Sequence, residues 1–188
     1  MDSEGARTRI LDAAEDLFYG RGIQTVGMDA VRSASGVTLR RLYQLFPSKG
    51  DLVEAYLLRR DTRWRAGLAA YVDATGAAPR ERVLALFDWL RGWFEEPGFR
   101  GCAFINGFGE LGATSPEVAA AARRHKEEFF QYVTGLATAA GAPAATGRQV
   151  ALLAEGAITT AALTGSSAPA GEARAAAALL LDAVTARR

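Results

Sequence analysis

The 188-residue sequence predicts an all-α fold of about nine helices. Three observations lead there. Apolar residues recur at helical spacing almost throughout, no run alternates cleanly enough for a strand, and Gly- and Pro-rich breaks are repeatedly followed by capping residues. With 49% hydrophobic and 23% charged residues the composition is that of a globular chain. The length allows one large domain or two small ones around a well-buried core.

In the first helix Ile10, Ala14, Leu17 and Phe18 form one apolar stripe, and Gly20-Arg21-Gly22 stops it. A short second helix is predicted from about Met28 to Ala34 and a third from about Leu39 to Leu45, which Pro47 ends. Ser48 reads as an N-cap with Asp51 three residues on, a capping box that opens a fourth helix to about Asp73. The fifth starts near Pro79 and reaches 95–98, and a short sixth fits Cys102 to Leu111. Ser115-Pro116-Glu117 supplies an N-cap, an N1 proline and an early acid for a seventh, to about Ala140. Thr146 with Gln149 predicts a second capping box for the eighth, to about Leu163, and the ninth covers roughly Glu172 to Ala186. The change from short to long helices near Ser48 predicts two domains, 1–47 and 48–188, with no flexible linker between them.

The formal net charge is only +1, so nucleic-acid binding has to rest on a local patch. One is present. Every charged residue between Asp29 and Asp51 is positive: Arg32, Arg40, Arg41 and Lys49. The single cysteine, Cys102, excludes an intramolecular disulfide and a cysteine-rich metal site, and fits a reducing compartment. The first residues carry acids where a signal peptide would be basic, and no stretch suits a membrane span. A cytoplasmic protein without metal or cofactor is expected.

Two short helices joined by a tight Gly-containing turn are the sequence form of a helix-turn-helix. On the third helix Leu39, Leu42 and Phe46 share one side, while Arg40, Arg41 and Gln44 point the other way. Arg can bind guanine O6/N7 and Gln adenine N6/N7 with two hydrogen bonds each. The hydroxyls of Thr38 and Tyr43 suit phosphate oxygens, and Lys49 sits in the first turn of the next helix, where an anion is favoured.

Residues 7–56 resemble the DNA-binding domain of the TetR family of transcriptional regulators. The carriers are "ILDAAEDLFYGRGIQTVGMDAV" and "SGVTLRRLYQLFPSKGDLV", which follow the family pattern of Gly-Val-Ser/Thr, a variable pair, Leu-Tyr, two variable residues, Phe, then Ser-Lys and an acid before Leu. This sequence has Leu39 where the family often has Lys, Gly27 where a Ser or Thr commonly caps the second helix, and the large Arg41 where small residues are common. The resemblance implies a homodimer on a palindromic double-stranded operator, contacted through Gly27, Thr38, Arg40, Arg41, Tyr43, Gln44 and Lys49. It also implies that the remainder forms a domain for ligand binding and dimerisation.

Most aromatic residues lie between Trp64 and Tyr132, and none follows. The fifth helix carries two apolar stripes and is expected to be buried on two sides. Trp64, Phe87, Trp93, Phe104, Phe108 and Phe129 are the expected walls of a site for an apolar effector, with a filled aromatic core as the alternative. In "GCAFINGFGEL", similar to the opening found in the LmrA and YxaF subgroup, Asn106 and Glu110 either orient the ligand's polar groups or satisfy backbone groups at helix ends. His125 is expected to be exposed, with a place in the pocket lining as the alternative. The last two helices are rich in Ala and Leu on every side, which predicts a two-fold helical interface including Val150, Leu153, Ala157 and Leu179. Cys102 and His125 are the only Cys/His pair and lack a third catalytic member, so no enzyme is expected. A ligand-responsive repressor is the leading expectation. The alternatives are a DNA-binding regulator without a ligand and one controlled by oxidation of Cys102.

Overall fold

In the computed structural model, residues 2–185 are described. Among them the chain forms nine helices and no strand: α1 (Ser3–Arg21), α2 (Met28–Ser35), α3 (Leu39–Leu45), α4 (Lys49–Ala74), α5 (Pro79–Phe94), α6 (Ala103–Leu111), α7 (Pro116–Ala139), α8 (Ala144–Thr164) and α9 (Ala168–Thr185). The all-α expectation holds element by element. The C-terminal end expected at Ala186 lies outside the described residues.

Local chemistry sets most boundaries. Asp2 caps α1 by accepting from the Gly5 N–H at 2.8 Å. At the start of α4 the capping box is complete: the Asp51 N–H donates to Ser48 Oγ (3.1 Å) and the Ser48 N–H donates to Asp51 Oδ2 (2.9 Å). Ser115 caps α7, accepting from the Val118 N–H at 3.3 Å while its hydroxyl donates to Glu117 at 2.9 Å. Self-capping by its own backbone N–H, then the Ser115 hydroxyl, holds the Glu117 carboxyl below its ordinary value.

Two helix starts differ from expectation. Thr146 and Gln149 form no cap, because Pro143 is itself the N-cap of α8 and its carbonyl already accepts from the Thr146 N–H at 2.9 Å. Thr146 is consequently inside the helix and buried. α9 begins at Ala168 rather than near Glu172, since Pro169 falls in its first turn, where a missing N–H costs nothing.

The chain divides into two compact units, one of residues Met1–Arg63 and Ala103–Arg124, the other of Trp64–Cys102 and His125–Arg188. In the first, Ile10, Ala14 and Phe18 of α1 pack with Val31 of α2 and Leu42 of α3, all 3% exposed or less. The N-terminal part of α4 adds Leu52, Tyr56 and Leu57, with the Tyr56 ring edge-on to Phe18 at 5.7 Å. Its charges lock to α1: Arg59 pairs with Asp12 (2.8 Å) and Glu15 (2.9 Å), and Glu15 also takes Arg60 and Arg63 at 2.9 Å each.

In the second unit α8 packs along α9, and both pack on α5. Their shared core consists of Val83, Leu86 and Leu90 from α5, Val150, Ala154 and Ile158 from α8, and Ala177 and Leu181 from α9. Gly147 lets α8 approach α7 closely, since a Cβ there would lie 2.6 Å from the Thr134 Cα. Among the described residues, no helix is long and apolar enough to cross a membrane.

Candidate nucleic-acid interface and aromatic core

The turn between α2 and α3 depends on one glycine. Gly36 adopts φ 66° and ψ 21°, a left-handed C-cap whose N–H bonds the Arg32 carbonyl at 3.0 Å. A Cβ there would also stand 2.6 Å from Arg9 Nη2. Val37 is buried directly after the turn, and Thr38 caps α3 by accepting from the Arg41 N–H at 3.2 Å. The Thr38 oxygen is thereby used as an acceptor, and its O–H remains to donate to a phosphate.

α3 is anchored by Leu42 and by Phe46 just past its end, 0% and 2% exposed. Arg40, Tyr43 and Gln44 are exposed, and Arg41 is half-buried with Nη1 3.5 Å from Gln44 Oε1. Leu39, which the wheel placed on the packed side, is 45% exposed. Leu42 and Phe46 suffice to seat so short a helix, and the first residue swings clear. The positive run is only partly neutralised. Arg32 pairs with Asp29 at 3.2 Å, whereas Arg40 and Lys49 have no ion-pair partner among the described residues. Gly27 is the N-cap of α2 with no side-chain bond, and a Cβ there would meet nothing within 4 Å.

The eight residues expected at an effector site fall in both units. Phe104, Asn106, Phe108 and Glu110 stand on α6, in the first unit. Phe104 is buried, Asn106 exposed, and Phe108 half exposed at 50%. Glu110 is engaged with the α1–α2 loop: the Gln24 N–H donates to its Oε2 at 2.8 Å, and the Gln24 side-chain amide donates to its backbone carbonyl. Of the two readings left open for Glu110, satisfaction of backbone groups is the one this geometry favours.

Trp64, Phe87, Trp93 and Phe129 belong to the second unit. Trp64 is the hub, edge-on to Trp89 (5.0 Å), His125 (5.3 Å), Trp93 (5.5 Å) and Phe129 (5.5 Å). Its indole Nε1 is buried without a hydrogen-bond partner. Phe87 is buried on α5. His125 is 3% exposed rather than on the surface: the charges around it in sequence occupy the other faces of α7, which the heavily charged local composition concealed. Cys102 is also buried, and Lys126 reaches from α7 to place Nζ 3.4 Å from its Sγ and 2.6 Å from Glu155 Oε2 of α8. No spacing signal in the sequence links those three residues. Among the described residues, no group of His, Cys, Asp and Glu could hold a metal ion.

Of the expected interface residues, Val150 and Ala157 are covered within the chain, at 0% and 4% exposed. Composition could not orient helices that are Ala- and Leu-rich all round, and these two face the core shared with α5 and α9. Leu153 is half-buried. Leu179 is open, at 72%, as are Leu152 and Leu163 on α8, at 61% and 83%.

Residues 10–56 match the family model for "Bacterial regulatory proteins, tetR family". The HTH-type transcriptional regulator Rv1255c of Mycobacterium tuberculosis is 41% identical over 83 residues, 44% of this chain and 40% of that protein. The HTH-type transcriptional activator FasR of Mycolicibacterium smegmatis is 32% identical over 117 residues, 61% of this chain and 50% of that one. The matched part thus spans half or less of these relatives' length. The crystal structure of SCO4454, a TetR-family transcriptional regulator from Streptomyces coelicolor, superimposes with a TM-score of 0.88 at 32% identity, covering 96% of each chain. Likeness on that scale extends far beyond the reading head, and with the helix-turn-helix geometry it places the chain in the TetR family of DNA-binding transcriptional regulators, which are not enzymes.

Proposed function

We propose that this regulator is a ligand-responsive repressor that binds a palindromic operator as a homodimer and is released by an apolar small molecule. The functional boundary in this reading falls at Ser48, with 1–47 reading DNA and 48–188 sensing and pairing, and the site of action is the cytoplasm. The "GCAFINGFGEL" opening keeps the LmrA and YxaF subgroup as the finer assignment. The observation that carries the DNA half is the α3 face with Arg40 and Gln44 exposed and Arg40 and Lys49 unneutralised. Arg40 and Gln44 carry base readout, while Lys49 and the Thr38 hydroxyl carry phosphate contacts.

The effector half rests on the ring cluster around Trp64 and its unsatisfied indole N–H. A buried donor without an acceptor is a cost that a bound carbonyl or ether oxygen would remove. Release follows only if the ligand prefers the DNA-incompetent state; a hundredfold preference corresponds to roughly 2.7 kcal/mol. The test pairs a thermal-shift screen of apolar ketones, esters and ethers with a gel shift on the DNA upstream of the gene. Compounds that raise the melting temperature should release that DNA, and Trp64→Phe should abolish the response while operator affinity stays. Stabilising compounds that leave the DNA complex intact would remove effector control.

A second reading, control by oxidation, is favoured by the Lys126 ammonium 3.4 Å from Cys102 Sγ. Peroxide would convert the thiol to a sulfenic acid with loss of water and disturb the Lys126–Glu155 pair. Peroxide treatment lowering operator affinity in the wild type but not in Cys102→Ser would establish it.

A further inference from the structure

The reading face of α3 is only half polar. Leu39 is 45% exposed and Tyr43, one turn further on, is 44% exposed. At i and i+4 the two lie along one line on the helix surface, beside exposed Arg40 and Gln44. Leu42 and Phe46 already anchor the helix, so Leu39 is not needed for the core. It also sits in the first turn, the part of a recognition helix that comes nearest to base edges in the major groove.

Hydrogen-bonding base edges and phosphates gain nothing from an aliphatic side chain. The one apolar group the major groove offers is the C5-methyl of thymine. A lysine at this position would reach a phosphate and weigh all sequences alike, whereas a leucine adds no charge and responds only to the methyl. We infer that Leu39 is a specificity-determining residue that packs against a thymine C5-methyl in the operator. This rests on the DNA-reading role assigned to α3 above. It implies a thymine beside the bases read by Arg40 and Gln44, and a weaker salt dependence than a lysine there would give.

The experiment begins by selecting duplexes from a randomised pool with the full chain, then replacing each thymine of the selected site singly by deoxyuridine. Deoxyuridine pairs identically but lacks the methyl, so affinity measured by fluorescence anisotropy isolates that one group. At one thymine the wild-type protein should lose about fourfold, the effect of returning one methyl to water. Leu39→Ala should lose a comparable factor on the unmodified duplex and be indifferent to deoxyuridine at that position, a coupling confined to one residue–methyl pair. Leu39→Lys should bind the duplex with a steeper salt dependence and no thymine preference there. The deoxyuridine effect is a ratio within one protein preparation, so a partly unfolded variant cannot imitate its loss. Wild-type affinity unchanged by deoxyuridine at every thymine would overturn the inference, as would Leu39→Ala retaining the wild-type sensitivity. Failure of the wild-type chain to enrich any duplex is a separate result, and it would overturn the reading role of α3 itself.

Discussion

At the scale of single residues, the proposed function assigns contact and selectivity to different side chains. Arg40 and Gln44 present forks that match base edges, and Lys49 presents a point charge at the start of α4. Arg40→Ala or Gln44→Ala should therefore cost roughly 1–3 kcal/mol on the preferred duplex and relax its sequence preference. Lys49→Ala should weaken all duplexes alike and reduce the slope of log affinity against log salt by about 0.9. Anisotropy titrations at several salt concentrations distinguish the two, and a change of base preference in Lys49→Ala alone would reverse the assignment. Tyr132 supplies a residue-scale test in the other unit. Its hydroxyl is buried without a hydrogen-bond partner, and burial, then the nearby Asp73 charge, raises its phenol above the ordinary value. A raised folded-state value favours the neutral phenol, so that contribution is complete below about pH 10 and is lost as pH climbs through the folded value. Tyr132→Phe removes both the unsatisfied hydroxyl and the titration. Its urea midpoint should equal or exceed that of the wild type at pH 7, and its advantage should widen above pH 10; parallel pH profiles would contradict the assignment.

At the scale of elements, α6 is tied to the loop between α1 and α2 by a glycine and a carboxylate that need each other. Gly22 adopts φ 91° and ψ 143°, and a Cβ there would lie 3.2 Å from the Glu110 carboxylate that receives the Gln24 N–H. Gly22→Ala should cost about 1–3 kcal/mol from backbone strain alone, with Glu110 displaced in addition. A fall in Tm of about 2–4 °C per kcal/mol makes this visible by calorimetry; an unchanged Tm would mean the loop adopts another conformation. This tie also marks how far the sequence could be read. The Ser48–Asp51 cap, the Pro116 start and the helix-turn-helix glycine were legible because each is decided within four residues. The Thr146–Gln149 box was not, because a competing start at Pro143 lay three residues upstream and won. The partnership of Glu110 with Gln24 spans 86 residues, and the burial of His125 depends on Trp64 from another helix. Neither leaves a periodic trace. Leu39 is the instructive reversal: its hydrophobicity pointed inward on the wheel, and only the anchoring already supplied by Leu42 and Phe46 freed it.

At the scale of the whole molecule, the question is what covers the outer side of α8 and α9. The exposed line on α8 runs Leu152, Gly156, Thr159 and Leu163, successive positions three or four residues apart, and Leu179 of α9 is 72% exposed. A Cβ on Gly156 would meet nothing within 4 Å, so this part of the line has room for another helix to approach. In the homodimer proposed above, a second copy of the chain would offer the same line, and two helices from each copy would close a four-helix bundle about a two-fold axis. This reading makes opposite forecasts for two leucine-rich positions that sequence alone treats as equivalent. Leu163→Arg places its charge on a residue 83% exposed in the single chain, where a surface change costs within about 0.5 kcal/mol. The monomer should stay folded, while the dimer, asked to bury two unpaired charges, should dissociate. Ala157→Arg, at a position 4% exposed, forces the charge into the core shared with α5 and α9 and should unfold the chain instead. Sedimentation should find wild-type dimers and folded Leu163→Arg monomers at micromolar concentration. On a palindromic duplex the monomeric variant should lose the effective-concentration advantage of two linked heads, on the order of 10²–10⁴ in affinity, and keep its affinity for a single half-site. A wild-type protein that sediments as a monomer, or a Leu163→Arg variant that remains dimeric, would place the pairing surface elsewhere.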